Sequence, residues 1–266
     1  MKKLLAASIL AAVVVAAFGT HSAIATATDT DTVKAEDTVR ETRTVDANVS
    51  KVRLDSVVHL VLHQGATPAL VLSGDRRDVS KVTTVQRGDL LTIGTQEHVH
   101  MGGRHQELRA DLTVPNLQEL VSNGVGPSEV SGFSGDHLTL TLGGAGTIKF
   151  TGQYRDVDAR LSGVGSMTLD PGHAEQISLR MGGAGEIAVS GQTKALHAHM
   201  GGVGSLDAQH LQADTVELDM SGLGSASVYA RTAANVSLSG MGSATVYGKP
   251  ATRNATANGL GKVSWQ

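Results

Sequence analysis

His197 and His199 stand two residues apart in LHAHM, and Glu217 and Asp219 stand two apart in VELDM, twenty residues further on. Imidazole nitrogens and carboxylate oxygens are ligands a divalent transition metal accepts, so the four could share one ion if a fold laid the two segments side by side. The plainer reading of the same residues is a solvated face with opposite charges paired between strands. A second histidine group, His98, His100 and His105, lies in the glycine-rich stretch EHVHMGGRHQ, residues 97–106. It is either a flexible metal-binding segment or an ordinary polar loop, because His-x-His puts both rings on one side only in a strand. Nucleophilic chemistry has less support. Serines are abundant, yet no Gly-x-Ser-x-Gly elbow stands between a strand and a helix. Asp156 and Asp158 form one Asp-x-Asp pair with no second pair a repeat away, whereas glycan cleavage needs clustered carboxylates or a positioned base. One Trp and three Tyr leave few rings for stacking on sugars. No catalytic residue and no cofactor is assigned, and the chain reads as non-enzymatic.

The two candidate strands can meet only because the sequence repeats. A glycine, an apolar residue and a second glycine recur at Gly124/Gly126, Gly144/Gly146, Gly163/Gly165, Gly183/Gly185, Gly202/Gly204, Gly222/Gly224, Gly240/Gly242 and Gly259/Gly261. Successive first glycines are 20, 19, 20, 19, 20, 18 and 19 residues apart. A period of this size means a solenoid, propeller or array. Around each pair, apolar residues fall at even offsets, as in Leu140, Leu142, Ile148 and Phe150, and polar residues fall between them. That alternation is the period of a half-buried strand, and no segment shows a helical period. The predicted fold is all-β: a single-stranded, right-handed parallel β-helix with about 19–20 residues per coil, each strand paired with its equivalent about 4.8 Å away. A leucine-rich repeat lacks its leucine pattern here, a propeller lacks any odd/even difference between repeats, and calcium-binding repeats lack their aspartate. Aligned on the glycines, His197 falls beside Glu217 and His199 beside Asp219.

The residue between the glycines is apolar in all eight repeats: Val125, Ala145, Val164, Ala184, Val203, Leu223, Met241 and Leu260. Eight apolar residues in a row favour a corner, where glycine supplies positive φ and the middle residue turns into the core. The alternative is that alternation runs straight through, which would expose a continuous apolar stripe, an interaction site or an aggregation hazard. Either way the glycines are architectural; they are assigned as structural corners and not as a phosphate cradle, since no helix N-terminus follows them.

The ends of the chain place it. Lys2 and Lys3, the apolar run Leu4 to Phe18 and the small-residue pattern Ala23-Ile24-Ala25 read as a signal peptide over residues 1–27, its apolar part short for a membrane span. Residues 28–37, with TDTDTVKAED, read as a flexible lead-in, and 38–266 as one β-helix domain: irregular N-terminal coils over 38–115 and regular Gly-x-Gly coils over 116–266. The mature part carries 20 basic and 25 acidic residues, a net charge of −5. That is no footprint for nucleic acid. Cysteine is absent, and no later segment is apolar enough to span a membrane. The chain is expected in the periplasm or on the cell surface, its partner an unknown protein or glycan of the cell envelope.

The stretch VHLVLHQGATPALVLSGDRRDVSKVTTVQRGDLLTIGTQ, then LTVPNLQEL, then the serial Gly-apolar-Gly corners resemble the GIN domain of auto-transporter adhesin heads over about residues 45–266. The resemblance implies an exported bacterial β-helical protein with an adhesive role, and it brings no catalytic residues. EHVHMGGRHQ departs from the family's pattern. The function read from the sequence is an adhesin-type binding protein. Alternatives are a structural or envelope-stress scaffold without a ligand and, third, a glycan-active β-helix enzyme.

Overall fold

Period-two alternation becomes strand along nearly the whole of the computed structural model, which describes residues 38–96 and 108–266. The expected signal peptide, the lead-in and the insertion with His98, His100 and His105 lie outside the described residues. The regular part runs through β9 (Val125–Leu142), β10 (Ala145–Leu161), β11 (Val164–Asp170), β12 (His173–Met181), β13 (Ala184–Met200), β14 (Val203–Met220), β15 (Leu223–Leu238), β16 (Met241–Tyr247), β17 (Thr252–Ala257) and β18 (Lys262–Trp265), numbered to follow eight earlier strands described below. Each pairs in parallel with its equivalent one coil away, giving a β-solenoid of about 7 turns.

Register turns the sequence repeat into columns of side chains. Leu142, Leu161, Met181, Met200, Met220 and Leu238 are successive Cα partners, all buried. A second column runs Leu140, Ala159, Leu179, Ala198, Leu218, Val236. The apolar face of every coil thus stacks on the apolar face of the next, which a lone coil could not bury. Phe133, Phe150 and Tyr154 are the largest fully buried side chains. Tyr154 packs at 5.8 Å between ring centroids on Phe150 and donates its hydroxyl to the Leu117 carbonyl at 2.6 Å. Burial pushes the Tyr154 phenol up to about 12.

The N-terminal part contains β1 (Thr38–Arg43), β2 (Lys51–Asp55), β3 (His59–Gln64), β4 (Ala69–Asp75), α1 (Arg76–Lys81), β5 (Val82–Arg87), β6 (Leu90–Thr95), β7 (Arg109–Val114) and β8 (Glu119–Ser122). Its spatial order is not its chain order. β2 lies between β6 and β8, and β3 between β7 and β9, all in parallel. The coil of β6 and β7 is therefore outermost, although it comes later in the chain. Beyond it β4 pairs antiparallel with β7, β1 with β4, and β5 with β6. These antiparallel strands pair with the outermost coil's edge, which would otherwise be a template for another chain. The helix α1 corrects the expectation of strand throughout. Asp75 caps it by accepting a hydrogen bond from the Arg77 backbone at 2.8 Å, and Val79 is its one buried residue. Six residues with one apolar anchor are too few to show a helical period.

Candidate functional site

The glycine corners are built differently from the favoured sequence reading. Alternation runs straight through them: Met220 is buried, Ser221 exposed, Gly222 turned inward, Leu223 exposed, Gly224 inward, Ser225 exposed, Ala226 buried. The middle apolar row therefore faces outward, not into the core. Its larger residues are exposed, from 38% at Val125, through 45% at Leu223, to 85% at Leu260, while the small Ala184 is half-buried. The reason lies in the backbone of the preceding coil. Ser221 and Gly222 both donate to the Met200 carbonyl, and Leu223 donates to the Gly202 carbonyl at 3.0 Å. This holds the coils so close that a Cβ on Gly222 would overlap the Gly202 carbonyl oxygen. Space is lacking inside the corner, so the apolar residue between the glycines has nowhere to point but out.

The two glycines of a pair are also not equivalent, which corrects their joint reading as corners. The bend falls at the first of each pair, Gly124, Gly144, Gly163, Gly183, Gly202, Gly222, Gly240 and Gly259, between one strand and the next. The second is already inside the following strand. Gly126 belongs to β9, Gly146 to β10, Gly165 to β11, Gly185 to β13, Gly204 to β14, Gly224 to β15 and Gly242 to β16, while Gly261 immediately precedes β18. Positive φ, the expected reason for a glycine, appears at the second position from Gly126 (+127°) to Gly224 (+152°), but not at Gly242 or Gly261 and at none of the first glycines. Close approach is the more general cause. A Cβ on Gly146, Gly165, Gly185, Gly204, Gly224 or Gly242 would overlap the carbonyl oxygen of the second glycine one coil back. The two ends of the array differ because their neighbours do. A Cβ on Gly126 would stand 3.0 Å from the Val58 carbonyl oxygen, and one on Gly261 would first strike the Leu238 side chain.

The result is a straight outward ladder. Val125, Ala145, Val164, Ala184, Val203, Leu223 and Met241 are consecutive Cα partners, and Leu260 continues the row one repeat on. The ladder starts one coil earlier than the glycines do, at Val57, bridged to Val125. On one side it is bordered by Ser162, Gly182, Gly201, Ser221 and Ser239, and on the other by Ser166, Glu186, Ser205, Ser225 and Ser243. Beside Val203, Leu223, Met241 and Leu260 a shallow groove of about 470 Å³ lies over the glycines. Glu186 and, beside Leu260, Lys262 are the charged residues in these borders.

The histidine quartet keeps the predicted register: His197 partners Glu217, and His199 partners Asp219. His197 Nδ1 lies 2.8 Å from a Glu217 carboxylate oxygen, with both side chains about half exposed. Among the described residues no group of three or more His, Asp or Glu side chains stands close enough together to hold a metal ion. The quartet is two neighbouring ladders rather than one converging cluster. Asp156 and Asp158 are likewise divided, Asp156 toward Arg155 at 3.3 Å and Asp158 between His137 at 3.7 Å and Arg180 at 4.0 Å. Lys194 donates to Glu175 across coils at 2.7 Å, and that hydrogen bond holds the Glu175 carboxyl below its usual range.

The sequence reading missed one constellation. Tyr229 and Tyr247 are Cα partners on adjacent coils and line a common pocket. The signal was present: each is the fifth residue after the second glycine of its pair.

Solved structures share this fold at low identity. A "putative adhesin" from Parabacteroides merdae superposes with a TM-score of 0.71 at 15% identity, covering 87% of this chain and 97% of its own. A "putative adhesin" from Bacteroides fragilis gives 0.66 at 18%, over 87% and 98%. A "putative lipid binding protein" from Parabacteroides distasonis gives 0.62 at 19%, over 85% and 96%. No curated protein sequence matches the chain. The family model described as "Putative auto-transporter adhesin, head GIN domain" matches residues 48–250.

Proposed function

We propose an adhesive role for this chain, which belongs to the GIN-domain family of auto-transporter adhesin heads. It is an exported, non-enzymatic binding protein, and the outward apolar ladder is its contact face. The observation that carries this reading is the outward row from Val125 to Leu260 in a fold that buries its other apolar columns almost completely. Exposed apolar surface that is contiguous and rimmed by small polar groups marks an interaction surface. Export is supported by the charged, apolar and small-residue order of residues 1–27.

Size decides what kind of contact this face makes. Seven coil-to-coil steps of about 4.8 Å give a row about 34 Å long, and the five residues from Ser221 to Ser225 give it a width of about 13 Å. A partner would cover about 450 Å² of it, or about 900 Å² counting both sides, below the roughly 1,200 Å² of a stable complex. One copy binds weakly, and many copies on a surface hold through avidity. Beads densely coated with residues 28–266 should attach to bacterial or epithelial cell layers. The double variant Val203→Asp, Leu223→Asp should melt like the wild type and attach several-fold less. Equal attachment by the variant beads would overturn the contact face, and attachment by neither coat would overturn the adhesive role.

A further inference from the structure

We propose that the pocket containing Tyr229 and Tyr247 is a glycan-binding site that prefers a carboxylated sugar. It is separate from the apolar ladder and rests on different residues, so its failure would leave the contact face standing. The pocket measures about 450 Å³ and is lined by Gln209, His210, Tyr229, Tyr247, Lys249 and Gln266, with Gly248 between the last tyrosine and the lysine. Two of the three tyrosines of the chain are brought to one place by the coil register, both half-buried.

The coil is modified locally to make this space. Between β14 and β15 the register jumps from Ala208 to Gln212, which leaves Gln209, His210 and Leu211 without ladder partners on β15. Such an irregularity re-aims side chains next to functional sites. On the coil beyond, the chain turns at Gly248, φ +95°, and at Lys249, φ +52°. Lys249 is the one non-glycine residue with positive φ among the described residues, a conformation that marks a turn or a strained functional segment. Gly248 cannot be replaced cheaply: a Cβ there would overlap the Ala230 carbonyl oxygen and press on the Tyr229 ring at 3.0 Å. Gln266 is tied in by its backbone, which donates to the Val246 carbonyl at 2.9 Å.

The chemistry of the lining selects the ligand. A sugar ring offers an apolar C–H face and an edge of hydroxyls. Tyrosine supplies an apolar body with a polar tip, and amide and imidazole groups both donate and accept. An acyl chain would need an enclosed apolar cavity, whereas this pocket is open and polar-rimmed. A phosphate would need several cationic side chains around it, where here one lysine stands. That lysine, with no acidic side chain in the lining, favours a carboxylate on the sugar.

The test is a titration of the chain with trigalacturonate, trimannuronate, chitotriose and maltotriose, read by saturation-transfer NMR and by the fluorescence of Trp265, the one tryptophan, adjacent to Gln266. At least one acidic trisaccharide should bind saturably and more tightly than the neutral ones. Tyr229→Ala and Tyr247→Ala should each weaken binding several-fold, Tyr229→Phe and Tyr247→Phe much less, with melting temperatures of the Phe variants unchanged. Lys249→Gln should weaken acidic sugars and leave neutral ones as they were. Absence of saturable binding by all four trisaccharides, or binding indifferent to loss of both rings, would overturn the site. Equal affinity for acidic and neutral sugars would overturn the preference assigned to Lys249.

Discussion

Gly182 and Gly183 are neighbours in sequence and should respond to the same substitution with opposite signs. A Cβ on Gly182 meets nothing within 4 Å, and its φ lies outside the left-handed region. Ala there removes freedom from the unfolded chain without strain in the folded one, so Gly182→Ala should be neutral or stabilise by about 0.4–1 kcal/mol. A Cβ on Gly183 would overlap the Gly163 carbonyl oxygen and lie 2.7 Å from the Ser162 carbonyl carbon. That Gly163 carbonyl accepts the Ala184 N–H at 3.0 Å, so backbone must give way and a ladder hydrogen bond is weakened. Overpacking costs about 1–3 kcal/mol, and a lost hydrogen bond adds about 0.5–1.5 kcal/mol, which places Gly183→Ala near 3 kcal/mol. For a domain of this size that is a fall of about 6–12 °C in Tm, against a change of at most about +4 °C for Gly182→Ala. Thermal melts by circular dichroism resolve the two. Similar shifts for both variants, or an unperturbed Gly183→Ala, would refute the view that glycine is required by the carbonyls of the coil beneath.

Leu218 is fully buried and Asp219 exposed, so denaturant melts should show Leu218→Ala costing about 2–5 kcal/mol and Asp219→Ala no more than about 0.5 kcal/mol. The Tyr154 phenol, pushed up to about 12 in the folded chain, binds its proton more tightly than an unfolded tyrosine near 10. Its contribution is therefore complete below about pH 10 and is lost as pH rises toward 12, by about 2–3 kcal/mol at about 1.4 kcal/mol per unit. Tyr154→Phe should remove that part of the alkaline loss, at the expense of about 1–3 kcal/mol at neutral pH for the Leu117 carbonyl left unpaired. Zinc should not raise the Tm of a variant with His98, His100 and His105 replaced, given the separate ladders of His197, His199, Glu217 and Asp219. A rise abolished by His199→Ala with Asp219→Ala would show that the four gather around an ion after all.

The coil period, the strand alternation and the pairing of His197 with Glu217 were legible because a solenoid writes its neighbour relations into fixed spacings. The orientation of the corner was not. Eight apolar residues between glycines suggest burial, while the cause of their exposure is a clash between a missing Cβ and a carbonyl about twenty residues away, which no local pattern displays. The same cause hides the difference between the first and second glycines, such as Gly183 at the bend and Gly185 within β13. The N-terminal order could not be read in the same way, since β6 and β7 reach the outside of β2 and β3 through pairings that follow no repeat. Helix α1 is too short to be periodic. Tyr229 and Tyr247 share an offset from their glycine pairs, but two rings in a chain this poor in aromatics make no pattern until the register stacks them.

The central claim is that the apolar ladder faces outward and makes the adhesive contact. Because the chain has no cysteine, Leu223→Cys gives a single thiol on that row, and its rate of maleimide labelling can be followed on beads before and after they attach to a cell layer. Fast labelling of the free beads and slow labelling of the attached ones is the predicted result. A thiol already protected before attachment would put the row back in the core, and one equally reactive afterwards would place the contact elsewhere.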